Sequence, residues 1–593
     1  MIVSPSTFRL LADGAPSPEG IYNFFMIMMG FVVLMLILTA VYVIRRIFDR
    51  QAGEIGGWEL RGAGGRVFAV ARNAIAEGIR TKIASGFAVM ILLAIPTFWF
   101  TASGDGTIKG QVQMFIAYSL GYTSFMLALL TIFFSCRSLS IEVASRQIYG
   151  VVCKPVPRWQ IIAGKLTGVI LLNVILLIPA TGMTYAGTLL TLNRFEKVLY
   201  AELQTYGHLT PEQAATAVEA MKRVKGVGGK GLESPVIGLM AEALGKTDEQ
   251  IAEILIALPE PTRVNMRKLD ELRRQVLVCR ANVSPEPTDN TEAVRKEYER
   301  MEKSGTLSTG LPKREIWENL EKIAEESNRT VAPGTDREWT MKGPPPKNDD
   351  DFLLTVRFKI RVSQYLSEVP EAGLEESMLR AAWAFGNPQA SEYHVIANAY
   401  PVDQFTEFDI PRKAVGEDGT VIVRFANVDP RQSAAVFEAP WGLQIMYRIG
   451  PFSLSLIMAA VAILIPLVCL AAFGVCASTF LSFPVASLIV ITLYILTSSM
   501  GFVAESLATT KDYYDPTLDM PLDIKIRATV VEAIGWVLAI GDTDPITHIV
   551  NGQGVGWAAL WNATWKFVLI KSTVVGVLAV FIFRRRELAA VIV

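Results

Sequence analysis

Long apolar stretches, separated by short polar ones, occupy both ends of this 593-residue chain. Each stretch approaches or exceeds the length that crosses the ~30 Å hydrocarbon layer of a bilayer as a helix. The pattern predicts a polytopic α-helical membrane protein with a six-span core and one extra N-terminal span. The predicted core spans are 83–101, 112–136, 161–190, 452–476, 480–503 and 567–583, and the extra span is 21–44.

Basic residues beside these stretches predict which side of the membrane each loop faces. Three arginines lie within 45–50, three more form 584–586, and five lysines and arginines lie within 137–165. Cytoplasmic loops carry an excess of Lys and Arg. We therefore predict a multi-pass protein of the bacterial plasma (inner) membrane, with an exoplasmic N-terminus and a cytoplasmic C-terminus.

Residues 191–450 interrupt the apolar pattern and are predicted to lie outside the cytoplasm. The first part, 191–340, has helical periodicity, and Thr210 and Thr247 are each followed three residues later by Gln, as in a capping box. The second part, 341–450, alternates apolar and polar residues, which is typical of strands. The sequence thus predicts a large α+β exoplasmic insert that contains a β-sandwich.

Four aromatic residues within the predicted sandwich have two interpretations. Trp383, Phe385, Tyr393 and Trp441 form either an exposed platform for sugars or peptides, or part of the hydrophobic core. The sequence alone leaves both interpretations open.

Together these patterns divide the chain into consecutive segments. They are 1–50 (N-terminal tail and anchor span), 51–82 (cytoplasmic linker and an interfacial helix), 83–190 (core spans 1–3 with a loop at 137–160), 191–340 (helical exoplasmic subdomain), 341–450 (exoplasmic β-sandwich), 451–503 (core spans 4–5), 504–566 (exoplasmic interfacial helices) and 567–593 (core span 6 and cytoplasmic tail).

The loop at 137–160 has a pattern of its own. Apolar residues such as Ile141 and Ile148 alternate with charged ones at helical spacing, and Pro155 and Pro157 stop the helix. The sequence predicts a short amphipathic helix over 138–149 with a stiff exit. A basic loop that only orients its neighbouring spans is the simpler alternative.

This loop resembles the cytoplasmic loop of the permease subunits of type-2 ATP-binding-cassette exporters. The resemblance rests on Glu142, Arg146, the Lys154-Pro155 pair and Arg158, on Gly164-Lys165 at the start of the next span, and on the turn CASTFLSFPVA at 476–486. It implies that the loop is a coupling helix seated in a cleft of a separate ATPase subunit. The residues that would couple to that ATPase are Glu142, Arg146, Tyr149, Lys154, Pro155 and Arg158.

A second amphipathic segment precedes the first core span. Val67, Val70, Ala74, Ile75 and Ile79 share one helical face. Such a helix would lie in the membrane interface, and in the resembled family this position is taken by the elbow helix; an ordinary linker helix is the alternative. Its charged residues lie off the apolar face and are Arg72, Glu77, Arg80 and Lys82.

Two polar residues lie within predicted spans. Asn173 interrupts the third core span, and Lys571 lies one turn inside the last. Asn173 either supports a helix–helix contact or lines a substrate path. Lys571 either extends to the membrane surface or contacts substrate.

Composition and motifs narrow the classes of function. A formal net charge of -1 provides no basic excess for nucleic acid. The glycine-rich stretch at 225–231 lacks the GxxxxGK[ST] pattern of a phosphate loop, and no nucleophile and base constellation is recognisable. We therefore expect no enzyme and no cofactor in this chain, and we expect ATP and Mg²⁺ to bind the partner subunit.

Three functional hypotheses follow. In the first, this chain is a permease that pairs with a second permease, identical or related, and moves a substrate outward with a separate ATPase. In the second, the ATPase drives the exoplasmic insert mechanically toward an envelope or periplasmic partner, without transport. In the third, the insert is an anchored carbohydrate-binding module. Membrane lipids are partners in all three.

Overall fold

The computed structural model describes the greater part of the chain beyond residue 62. The described residues are 63–102, 104, 106–145, 157–222, 242–260, 262, 264, 266, 269, 272–285, 289–305, 313–343, 354–363, 378–386, 394–410, 414–416, 419–430, 433–437, 442–512, 526, 529 and 545–585. The predicted span at 21–44 lies outside them.

Helices form both ends of the described structure. In chain order they are α1 (Ala63–Arg80), α2 (Ile83–Thr101), α3 (Ile108–Ala144), α4 (Arg158–Thr205), α5 (Pro211–Lys222), α6 (Asp248–Ala257), α7 (Thr291–Ser304), α8 (Lys313–Arg329), α9 (Phe452–Ser478), α10 (Phe483–Asp512), α11 (Pro545–Val550) and α12 (Trp557–Arg585), the last with a π-helical segment at Thr564–Ser572.

Five of these helices, α2, α3, α4, α9 and α12, are long and apolar enough to cross a membrane. Apolar side chains of α2, α3, α4 and α9 form a shared core, and α12 packs against α9 in two smaller clusters. The shorter apolar part of α10, Phe483–Ser499, corresponds to the fifth predicted core span. The coarse prediction of a helical membrane protein is thus confirmed.

Two helices run past the predicted ends of their spans. Helix α3 continues from the second span through Ala144, so residues 138–144 are the end of that helix and not a separate one. Helix α4 continues past residue 190 to Thr205, and it buries Leu199 and Leu203 against α5 and α6. Neither extension contains Gly or Pro, so no residue stops the helix where the hydrocarbon layer would end.

The β-rich region consists of two antiparallel sheets around one hydrophobic core. Strands β1, β2, β4, β7, β9 and β10 form one sheet, and β3, β5, β6 and β8 form the other. The strands are β1 (Val278–Val283), β2 (Thr330–Val331), β3 (Asp336–Lys342), β4 (Leu354–Ser363), β5 (Met378–Phe385), β6 (His394–Pro401), β7 (Phe405–Ile410), β8 (Thr420–Asn427), β9 (Ala434–Phe437) and β10 (Leu443–Pro451).

Aromatic side chains fill the space between the two sheets. Trp383 of β5 is fully buried, and its ring centroid lies 4.8 Å from that of Phe358 in β4. Phe385 is also fully buried. Both residues therefore belong to the core, whereas Tyr393 and Trp441, also considered for a ligand platform, lie outside the described residues.

The β-rich region includes residues that the sequence assigned to the helical subdomain. β1 pairs along its whole length with β10, more than 160 residues later, and β2 and β3 also begin before residue 341. The predicted caps are present, because Thr247 and Gln250 form a capping box at α6. Local periodicity identified the helices but not the long-range pairing of β1.

Candidate functional site

Three helices converge around Lys165 at one end of the bundle. Lys165 lies in the second turn of α4. Its ammonium group donates a hydrogen bond to Glu142 Oε1 near the end of α3 and lies 3.7 Å from Glu77 Oε2 on α1. The Lys165 side chain is 5% exposed, whereas those of Glu142 and Glu77 are 20% and 27% exposed. We call these three residues the Lys165 cluster.

Because Lys165 is buried, its charged ammonium group needs the two carboxylates as partners in place of water. A lysine ammonium taken out of water loses hydration that only nearby acceptors and negative charge replace. Because Glu142 and Glu77 come from two other helices, the same contacts fix the ends of α1, α3 and α4 relative to one another. The loop at 146–156, whose structure lies outside the described residues, connects two of these helices.

Small residues allow α1 to approach α4 closely. Gly164 and Gly168 of α4 form a GxxxG pattern on the side that faces α1. A Cβ atom on Gly164 would lie 2.5 Å from the Cβ of Val70, and one on Gly168 would lie 2.8 Å from the Cβ of Ala74. Small residues at a helix–helix contact allow the backbones of two membrane helices to approach closely.

Arg158 joins the start of α4 to the end of α12. Its Nη1 donates hydrogen bonds to the carbonyl oxygens of Phe583, at 2.7 Å, and Arg584, at 2.8 Å. Its guanidinium also lies 5.7 Å from the centre of the Phe583 ring. A cation at the C-terminal end of a helix satisfies carbonyls that have no partner within the helix.

The structure places only part of the predicted coupling set. Glu142 is turned toward Lys165 inside the bundle, and Arg158 is engaged with α12. A groove on another subunit cannot take these groups without breaking internal contacts. Arg146, Tyr149, Lys154 and Pro155 lie outside the described residues.

The predicted elbow residues lie on one helix but in different environments. Glu77 belongs to the Lys165 cluster, whereas Arg80 is exposed and Arg72 is half-buried. Lys82 is exposed and has a positive φ of 59°, at the break between α1 and α2. The buried face of α1 is formed by Ala71, Ala74 and Gly78.

The two residues considered for a substrate path also have protein neighbours. Asn173 is buried, and its Nδ2 donates a hydrogen bond of 2.7 Å to Thr131 Oγ1 on α3. The Lys571 ammonium lies 4.9 Å from the centre of the Phe567 ring within the π-helical segment. For Asn173 the observed contact is the helix–helix one.

Sequence reasoning missed the roles of Lys165 and Gly168. Lys165 was considered as a basic residue that orients the loop and as the opening residue of a span. Its partner, 23 residues away on another helix, cannot be identified from local periodicity. The GxxxG pattern at Gly164 and Gly168 was a readable signal for close helix packing.

Comparison with known proteins adds no identification. No family model, no curated protein and no solved structure matches this chain.

Proposed function

We propose that this chain is the membrane-spanning permease subunit of an ATP-binding-cassette exporter, driven by ATP hydrolysis on a separate subunit. The observation that carries the proposal is the Lys165 cluster, which ties α1, α3 and α4 together beside the loop at 146–156. A displacement of that loop by a partner would be passed directly to two long apolar helices. This is the mechanical requirement for coupling hydrolysis to movement of the spans.

Because Glu142 and Arg158 are engaged in contacts within this chain, the proposed docking surface for the ATPase is reduced to the loop at 146–156. In this proposal, Arg146, Tyr149, Lys154 and Pro155 contact the ATPase, while Glu142 and Arg158 hold the helices from which the loop emerges. Charge reversal at Glu142 is therefore a poor test of docking, because it would also break the ion pair with Lys165.

The test uses the full chain, co-expressed with the ATP-binding subunits encoded in the same genome. Arg146→Glu combined with Lys154→Glu should reduce ATPase co-purification and ATP response, because like charges at an interface cost several kcal/mol. Arg295→Glu combined with Arg314→Glu is the control, since these exposed residues lie on α7 and α8. Wild-type co-purification by the loop variant, with a wild-type ATP response, would reject the proposal.

Mechanical transmission without transport is a second candidate, favoured by a different observation. Arg280 of β1 is hydrogen-bonded to the backbone at Asn551, so the β-rich region is joined to the segment between α11 and α12. Reconstituted vesicles containing both subunits separate the two candidates. Accumulation of substrate that depends on ATP is required by the exporter and absent from the mechanical protein.

A further inference from the structure

An open groove lies at the end of the helix bundle opposite the Lys165 cluster. It has a volume of about 900 Å³ and lies among the end of α2, residues 190–200 of α4, and α5. Trp99 and Tyr200 provide aromatic walls, Leu190 and Val218 provide apolar surface, and Arg194 and Lys197 provide positive charge. We call it the Arg194 groove.

The length of α2 fixes the depth of this groove relative to a bilayer. Helix α2 has 19 residues, which at about 1.5 Å per residue nearly match the ~30 Å hydrocarbon layer. Trp99 is near its end and donates a hydrogen bond of 2.8 Å to Thr191 Oγ1 on α4. The Arg194 guanidinium lies 5.9 Å from the centre of the Trp99 ring. The groove is thus at the level of the lipid headgroups.

The charges that line the groove favour an anionic ligand. Within the described structure, neither Arg194 nor Lys197 has an acidic partner, while the carboxylate of Glu196 is paired with Arg273 at 2.6 Å. The second carboxylate of the lining belongs to Glu219 on α5. The two cations, Arg194 and Lys197, therefore carry more charge than this one carboxylate offsets. Arginine and lysine are suited to phosphate oxygens, and arginine binds them through two parallel N–H groups.

The surface toward the membrane centre is apolar. Leu189 and Leu190 on α4 are exposed, as is Leu93 on α2. A ligand with its phosphate beside Arg194 would extend along this surface only if its remaining part were a hydrocarbon chain. Charge and apolar surface together specify an amphiphile.

We propose that the Arg194 groove binds an anionic phospholipid, with the phosphate between Arg194 and Lys197 and an acyl chain along the apolar surface below Leu190. The site is independent of the ATPase docking surface and of the substrate carried by the exporter. It holds the end of α2, α4 and α5 at a defined depth in the membrane.

The proposal is tested by counting lipids that stay bound to the purified full chain in native mass spectrometry, with phosphatidylglycerol and phosphatidylcholine as probes. Arg194→Gln combined with Lys197→Gln should weaken phosphatidylglycerol binding, by about fivefold for each cation removed. Phosphatidylcholine should bind more weakly and lose less affinity, because its choline cation offsets the charge of its phosphate. Lys296→Gln combined with Arg314→Gln removes the same charge from exposed helices and is the control.

A second variant guards against loss of folding in the first. Leu190→Trp would fill the groove without changing its charge, and it should also reduce phosphatidylglycerol binding. Unchanged binding in either well-folded variant would overturn the proposal. Displacement of the lipid by millimolar inorganic phosphate would also overturn it, since the site would then recognise phosphate without requiring the acyl chain.

Discussion

Arg280 Nη2 donates a hydrogen bond of 2.6 Å to the carbonyl oxygen of Asn551. The two residues are far apart in sequence, and their contact joins the edge of the β-rich region to the segment between α11 and α12. Backbone bonds reinforce it, because Arg280 N donates to Gly552 O at 3.0 Å and Gly554 N donates to Arg280 O at 2.8 Å. We call this contact the Arg280 junction.

Arg280 should be critical for the stability of this junction. Its side chain is 3% exposed and lies 3.3 Å from Glu407 Oε2. Arg280→Ala leaves that carboxylate without one of its cations in a poorly hydrated site, which costs about 3–5 kcal/mol for buried pairs. We expect a clearly lower midpoint of thermal unfolding for the full chain in detergent.

The matched control is an exposed ion pair between β4, a strand of the same sheet, and the turn that connects β6 to β7. Arg361 Nε lies 3.5 Å from Asp403 Oδ1, and these side chains are 53% and 63% exposed. Arg361→Ala should cost ~1 kcal/mol or less, because solvent screens the pair. Equal shifts for the two variants would show that Arg280 has no special role at the junction.

Gly552 should tolerate no side chain. Its φ of +66° is in the left-handed region, and a Cβ atom would lie 1.6 Å from the carbonyl oxygen of Gln275. Gly552→Ala must displace backbone on one side of the junction, and we expect a loss of ~3 kcal/mol. Gly576→Ala is the control, since nothing lies within 4 Å of its added methyl group. Equal thermal midpoints for the two variants would contradict this expectation.

The two ion pairs of the Lys165 cluster should contribute unequally. Glu142 is hydrogen-bonded to Lys165, whereas Glu77 is 3.7 Å away. A double-mutant cycle with Lys165→Met and Glu142→Gln should therefore give a larger coupling energy than one with Lys165→Met and Glu77→Gln. The exposed pair of Arg295 and Glu299 on α7 provides the reference, with ~0.3–0.5 kcal/mol expected. A coupling energy that is larger for Lys165 with Glu77 than for Lys165 with Glu142 would contradict this prediction.

The periodicity of apolar residues predicted helices and strands, but it did not predict which charged side chains are buried. The alternation within 341–450 predicts that Leu354, Val356 and Phe358 of β4 point to one side and Arg357 to the other. The three apolar residues are buried. Arg357 is also buried, because Glu407 and the ring of Phe405 cover its side. Burial lowers the pKa of Arg357, and the Glu407 carboxylate opposes that shift.

The candidate site shows the same limit. Glu142 was predicted on a separate loop helix but lies on the continuation of α3, and its assignment to an external partner could not take account of Lys165 on the next helix. Which charged residues point inward depends on helix rotation, which a one-dimensional pattern does not fix.

Tyr400 is the residue at which pH dependence should be clearest. It is 4% exposed, and its hydroxyl group has no hydrogen-bond partner in the described structure. Burial raises its pKa from 10.0 to about 12. Because the folded-state pKa is above the unfolded one, the associated stability is fully present below pH 10.0 and is lost as the pH rises to about 12.

Tyr400→Phe should therefore have two effects on the full chain. Near neutral pH it removes a buried hydroxyl group without a partner, and we expect a gain of ~1 kcal/mol. Above pH 10.0 the advantage over the wild type should widen, since only the wild type loses stability by ionising this phenol. The measurement is the thermal midpoint of both proteins across this range. Tyr206→Phe, at an exposed position, is the control. The prediction would be contradicted if the thermal midpoints of Tyr400→Phe and the wild type differed by the same amount from neutral to alkaline pH.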